Sequence, residues 1–188
     1  MVKRRPLIRY ADSAAETTLV SQPIGSALPV PILECDTLME LIYLDICCFN
    51  RPYDDQSQLL IHLQTEAKLF VQEAIKQGLY SLVWSAILDL ENTANPDAER
   101  REAIQGWQTL AAIDIEATSE VECLAGELTK QGLKPMDALH VASAIKAEAT
   151  WFLTTDNGLL RRMKGETRLA VVDPVDFIRS LQEVGDEN

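Results

Sequence analysis

From residue 40 onward, short apolar runs alternate with stretches in which apolar residues return every three or four positions. The first kind reads as strand and the second as amphipathic helix. Leu41–Leu44 is a buried strand that ends at Asp45. Leu59, Leu63, Ala67, Phe70 and Ala74 form the stripe of a helix that stops at Gly78. Tyr80–Trp84 is the next strand, and Ser85 can cap a helix that carries Glu91 until Asn95–Pro96 breaks the pattern. A helix near Ala98–Ala112 leads into a strand over Ile113–Ala117. Ser119 with Glu122 has the spacing of a capping box for the following helix, which stops near Gly132. Pro135 suits the first turn of a helix running to about Glu148. Trp151–Thr154 is a strand that leads to Asp156, Arg168–Val172 is a last strand, and Pro174 opens the final helix.

Strands alternating with helices predict a parallel sheet with helices on both faces. Crossovers between such strands are right-handed, and ligands collect at the carboxyl ends of the strands. Residues 1–38 stand apart from this pattern. They hold four of the eight prolines, show no sustained period, and carry four basic and four acidic residues. We read 1–38 as a loosely ordered N-terminal extension and 39–184 as one α/β domain. Met39 opens the patterned region directly and is a candidate start of the native protein.

Composition narrows the chemistry. The 188 residues are 47% hydrophobic, ordinary for a globular domain, and their formal net charge is −12. So acidic a chain repels phosphate, which argues against passive coating of nucleic acid. An enzyme that holds divalent cations between carboxylates escapes this objection, because the ion reverses the local field. Cys35, Cys47, Cys48 and Cys123 lack zinc-ligand spacing and read as free, buried thiols of a cytoplasmic protein. No stretch approaches the ~18 apolar residues of a membrane span, and the basic N-terminus is not followed by a signal-peptide core.

Four acids occupy the positions where that chemistry would sit. Asp45 and Asp156 each follow an apolar strand and so lie at the same sheet edge. Glu91 lies one to two turns into the helix after the second strand, and Asp137 lies in the first turn of its helix, where the helix dipole favours an anion. Taken singly, each has a plainer reading as a turn, cap or solvated helix residue. Taken together they can converge. Two unit charges ~4 Å apart repel by ~4 kcal/mol at intermediate dielectric, so such a cluster calls for a cation. Oxygen-only ligation suits Mg²⁺ or Mn²⁺ rather than zinc. Asp89 competes with Glu91, but the two differ by about 200° around a helix, so only one can face the site.

The segment LIYLDICCFNRPYDD resembles the opening strand of PIN domains, especially those of VapC-type toxins. SLVWSAILDLEN resembles the helix that presents their second acid, and KPMDALHVASAIKAEATWFLTTDNGLL resembles their paired third and fourth acid motifs. The resemblance covers roughly residues 40–182, with the acids in family order. It implies a three-layer α/β/α PIN-like fold with a central parallel sheet. It implies that Asp45, Glu91, Asp137 and Asp156 are catalytic metal ligands for Mg²⁺ or Mn²⁺ in a ribonuclease. It also implies an RNA substrate, a small antitoxin protein that inserts a segment into the acidic crevice, and a homodimer; charge balance among the acids predicts that the inserted residue is arginine or lysine. One departure is Cys47, where the family often has a hydroxyl or amide residue two positions after the first acid; Asn50 is the candidate replacement.

Other residues are weighed beside these. His140, three residues after Asp137, is a candidate base or supporting donor, although a structural histidine is the preferred reading. Thr155 can bond a carboxylate or a phosphate. Arg51 and Arg161, with Arg162 and Lys164, can hold RNA phosphates, or can simply be solvated. Trp84, Trp107 and Trp151 read as core residues. Competing functions are a catalytically idle PIN-like binding module, a housekeeping RNA-processing nuclease, and phosphoryl chemistry on Asp45. The last is disfavoured, because Cys47 stands where haloacid-dehalogenase-type phosphatases want a second aspartate.

Overall fold

The computed structural model describes residues 2–4 and 39–185, with side chains from 39 to 182. Among these residues its sheet has six strands: β1 Val2–Arg4, β2 Leu41–Leu44, β3 Ser81–Ser85, β4 Ala111–Ile115, β5 Trp151–Leu153 and β6 Ala170–Val172. The spatial order is β1-β4-β3-β2-β5-β6. Strands β2 to β6 are mutually parallel, and β1 joins β4 antiparallel at the edge. Among the described residues eight α-helices accompany them: α1 Ile46–Asn50, α2 Leu59–Lys76, α3 Ala86–Thr93, α4 Ala98–Gln105, α5 Ser119–Lys130, α6 Pro135–Lys146, α7 Asn157–Arg162 and α8 Pro174–Gly185. The architecture is the expected three-layer α/β/α sandwich around a parallel sheet.

The reading of 1–38 as an extension falls largely outside the described residues. Only its Val2–Arg4 is described, as the edge strand beside Arg4↔Ile113.

The strands form where β-branched and aromatic residues cluster, and both faces of the central ones are covered. Ile42, Tyr43, Leu44, Leu82, Val83, Trp84, Phe152 and Leu153 are all fully buried. Strand β2 is central, with β3 on one side and β5 on the other. The chain builds outward from β2 through β3 to β4, then returns to the far side of β2 to start β5. The carboxyl ends of β2 and β5 therefore flank the point where the winding reverses, which is where crevices open in such sheets.

Several local details differ from the sequence expectation. The helix expected to reach Ala112 ends at Gln105, and Gly106–Leu110 tightens into a 3₁₀ turn. Gly106 is a poor helix former at that point, and the turn frees Ala111 and Ala112 to begin β4. Thr118 rather than Ser119 caps α5: its extended backbone lets Oγ1 accept the Val121 N–H. Helix α1 and the 3₁₀ turn Arg51–Tyr53 were not foreseen, because five residues are too few to show a period. Cys48 is a free buried thiol as expected, but Cys123 is exposed and Cys47 half-buried; Cys35 lies outside the described residues.

The largest correction concerns α2. Of its expected apolar stripe, Ala67 and Ala74 are buried, but Leu59, Leu63 and Phe70 are 71%, 45% and 55% exposed. The inward face holds Gln64, Thr65, Lys68, Val71, Gln72 and Ile75 instead. Two tertiary hydrogen bonds accompany this rotation. Gln64 Nε2 donates to Asp173 Oδ2 at 2.5 Å, and Thr65 Oγ1 donates to the Arg51 carbonyl at 3.2 Å. Leu63 and Phe70 are left to line an open apolar groove with Val175 and Ile178 of α8. The α2 stop is as expected: Gly78 takes φ +75°, and Gly78 N and Leu79 N bond the carbonyls of Ile75 and Ala74.

Candidate metal centre

Asp45 is the residue after β2. Its N–H donates to the Leu153 carbonyl at 3.0 Å, which continues the β2–β5 ladder and carries the side chain to the sheet edge. The carboxylate is buried. Its Oδ2 accepts from Thr154 Oγ1 at 2.7 Å and from Cys47 Sγ at 3.2 Å. Thr154 follows β5, is itself fully buried, and also receives the Asp156 N–H at 3.1 Å. One hydroxyl therefore ties the ends of the two strands that carry Asp45 and Asp156. Thr155 contributes its N–H to Cys47 Sγ at 3.2 Å.

Asp156 caps α7. Its Oδ1 accepts from Gly158 N at 2.5 Å and Leu159 N at 3.1 Å, while Oδ2 lies 3.4 Å from Lys134 Nζ. Burial raises its carboxyl pKa, but the two backbone N–H groups and the Lys134 ammonium outweigh this, leaving it below the usual carboxylate range. The position after next must be small: a Cβ on Gly158 would lie 2.9 Å from Asp156 Oδ1. Asp137, in the first turn of α6, behaves oppositely. Burial raises its carboxyl pKa, and the charges of Asp156 and Asp45 push the same way against Lys134 and His140. Asp137 thus feels two of the other three acids.

Glu91 and Asp89 part as their angular separation requires. Asp89 is held by Trp84 Nε1 at 2.9 Å and Gln105 Nε2 at 2.8 Å, a structural network on the α4 side. Glu91 turns to the sheet edge, where its Oε2 meets His140 Nε2 at 2.7 Å. Ligand atoms of Asp45, Glu91 and His140 all lie within 4.8 Å of one another. Among the described residues no other group of three lies so close, so Asp137 and Asp156 are not part of this closest group.

The chain matches the family model of the PIN domain over residues 42–166. It belongs to the PIN-domain family. PIN domains are generally nucleases, and the four acids lie within the matched span. Among solved structures, VapBC2 from Rickettsia felis, bound to a DNA fragment from its promoter, aligns with it at 14% identity and a TM-score of 0.45. That alignment covers 71% of this chain and 98% of that one. No curated protein sequence matches the chain.

The donor set of this PIN domain fits a hard cation. Among the described residues, nothing donates a hydrogen bond to Asp137, to Asp45 Oδ1 or to Glu91 Oε1. These oxygens reach solvent, but carboxylates that repel one another at one sheet edge are unfavourable unless a cation offsets their charge. The remaining residues singled out in the sequence have other occupations. Arg51 pairs with Asp54 at 2.9 Å, and Asn50 Oδ1 accepts from Asn95 Nδ2 at 3.4 Å. Arg161 and Arg162 are exposed at the end of α7. Lys134 had not been singled out; its position just before Asp137 is the signal that could have marked it as a cation beside the acids. Thr154 was seen only as strand, because nothing local shows that its hydroxyl meets a carboxylate 109 positions earlier.

Proposed function

We propose that this PIN domain is a metal-dependent ribonuclease that hydrolyses RNA phosphodiesters. The observation that carries the proposal is the set of donor-free carboxylate oxygens gathered beyond β2 and β5. Asp45, Glu91 and Asp137, with Asp156 beside them, would hold Mg²⁺ or Mn²⁺. When bound, such a cation supplies the positive charge that favours water's attack on phosphorus and the departure of the sugar oxygen. The protein's own part is positional. Thr154 and Cys47 aim Asp45, the α7 N-terminus anchors Asp156, and Lys134 with Arg161 and Arg162 offers cations to the flanking phosphates.

We read residues 39–184 as the nuclease unit, acting in the cytoplasm, with 1–38 as an appendage. Among the described residues no helix is long and apolar enough to cross a membrane. The sequence resemblance to VapC-type toxins supports a toxin role with a small antitoxin as partner. Only a cation can satisfy Asp45, Asp137 and Asp156 together, so the inhibiting residue should be arginine or lysine, and inhibition should weaken as Mg²⁺ rises. The exposed apolar face of α2 supports a protein contact there, either with that partner or with a second copy. The test is cleavage of a mixed RNA substrate by the purified full chain with Mg²⁺ or Mn²⁺. Metal-dependent cleavage that is absent in Asp45→Asn is the expected result. Binding of RNA without cleavage at any metal concentration would replace this reading with a non-catalytic module.

A further inference from the structure

A chain of hydrogen bonds, buried up to His140, runs from the start of α3 to the half-buried Glu91. Leu88 N–H donates to Ser85 Oγ at 3.3 Å, as expected of a helix cap. Ser85 Oγ lies 2.6 Å from Tyr43 Oη, Tyr43 Oη lies 2.7 Å from His140 Nδ1, and His140 Nε2 lies 2.7 Å from Glu91 Oε2. Ser85 and Tyr43 are fully buried, and His140 nearly so.

The direction of this chain is decidable. Suppose the serine hydroxyl donates to Tyr43, and Tyr43 donates to Nδ1. Every proton then has one acceptor, and the imidazole is left with its proton on Nε2, donating to the Glu91 carboxylate. In the reverse direction Nδ1–H donates to Tyr43 and Tyr43 donates to Ser85. The Ser85 O–H would then have no acceptor among the described residues, in a site sealed from water. Leaving a buried hydroxyl donor unsatisfied is unfavourable.

We infer that His140 is a positioning residue held in the Nε2–H tautomer by Ser85 and Tyr43, orienting Glu91 through Oε2 and taking no part as a metal ligand. Proximity alone would include His140 among the ligands, since its nitrogen falls within 4.8 Å of the Asp45 and Glu91 oxygens. Both ring nitrogens are already engaged, however, and a ligand needs a lone pair free. The role rests on the metal-dependent reading above. It leaves Glu91 Oε1 for the cation and accounts for a buried tyrosine and serine that the acids alone do not require.

The test uses the metal-free full chain labelled with ¹⁵N. Histidine occurs only at positions 62 and 140, and His62 is exposed, so the two ring spectra are separable. His140 should show a protonated Nε2 and a bare Nδ1, and Tyr43→Phe should relax this to a mixture. A protonated Nδ1 in the wild type overturns the inference. Calorimetric titration with Mn²⁺ supplies the second readout. His140→Ala should weaken binding about 10–100-fold, the usual effect of losing a residue that orients a ligand. His140→Gln, whose amide can accept from Tyr43 and donate to Glu91, should recover most of that loss. Equal weakening by Gln and Ala would make His140 a ligand, and no weakening by Ala would deny it any role. If the wild type binds no Mn²⁺, the metal-site reading fails and the positioning role with it. The tautomer spectrum still decides the hydrogen-bond chain on its own.

Discussion

Thr154 Oγ1 lies 2.7 Å from Asp45 Oδ2 and 3.1 Å from Asp156 N, so one buried hydroxyl holds the ends of two neighbouring strands in register. Thr154→Val keeps the shape but leaves a buried carboxylate oxygen with only the Cys47 thiol. We expect a loss of about 1–3 kcal/mol in stability, with weakened Mn²⁺ binding. Thr154→Ser should retain both. Chemical denaturation and metal titration of the two variants check this; equal behaviour of Val and Ser would remove the hydroxyl from the site.

Asp137 should matter to cleavage and not to folding. Its carboxyl is raised by burial, then by the Asp156 and Asp45 charges. A raised carboxyl favours the fold while protonated, and that contribution is lost as pH rises through its folded pKa. At neutral pH the metal-free protein thus carries an unfavourable charge there. Asp137→Asn should abolish RNA cleavage and melt at the same temperature as the wild type or higher. A folded Asn variant that cleaves at the wild-type rate would take Asp137 out of the site.

The oxygen donor set sets the metal preference. Cleavage should need Mg²⁺ or Mn²⁺ and stop with EDTA, and Zn²⁺ should restore little of it. Cys47 does not change this expectation, because its thiol is already bonded to Asp45 and Thr154. Cys47→Ser should keep the metal preference. Full activity in chelated buffer would be incompatible with the proposed centre.

Glu148 is the sole non-glycine residue with positive φ among the described residues, at 57°. It ends α6 in the manner that Gly78 and Gly132 end α2 and α5, with its N–H on Ile145 O and Ala149 N–H on Ala144 O. The left-handed conformation is unfavourable for a side chain. Glu148→Gly should stabilise the protein by about 0.5–1 kcal/mol, a rise of about 1–4 °C in Tm for a domain of this size. Differential scanning calorimetry reads this directly, and a lower Tm would contradict it.

One ion pair gives a defined acid response. Arg168 forks onto Glu166 at 2.9 and 2.7 Å and holds its carboxyl down to about 2. A depressed carboxyl contributes stability above its unfolded value near 4.5, and that contribution is lost as pH falls through the folded value. The Arg168 side chain is 47% exposed although Glu166 is only 13% exposed, so solvent screening keeps the pair's worth to about 1 kcal/mol. Glu166→Gln should melt slightly below the wild type at pH 7, with the difference closing between pH 4.5 and 2. A gap that persists at pH 2 would assign the effect to packing instead.

The sequence by itself determined where the longer helices and the parallel strands fall, and where the acids sit on them. Those properties are local: Leu41–Leu44 and Trp151–Leu153 are apolar runs, Pro135 opens its helix, and Gly78 and Gly132 close theirs. Asp45 and Asp156 are placed at one edge by parallel pairing alone, so their approach was legible before any coordinates. The tertiary structure decided what each polar side chain meets. The inward face of α2 carries Gln64, bonded to Asp173, with Val71 and Ile75, while Leu63 and Phe70 of the expected stripe turn outward. The support of Asp45 comes from Thr154, 109 positions away, and that of Glu91 from His140, 49 positions away. Spacing along a chain reports helix faces and strand ends, whereas a hydrogen bond between distant segments depends on distances of tenths of an ångström that only the packed sheet and helices set.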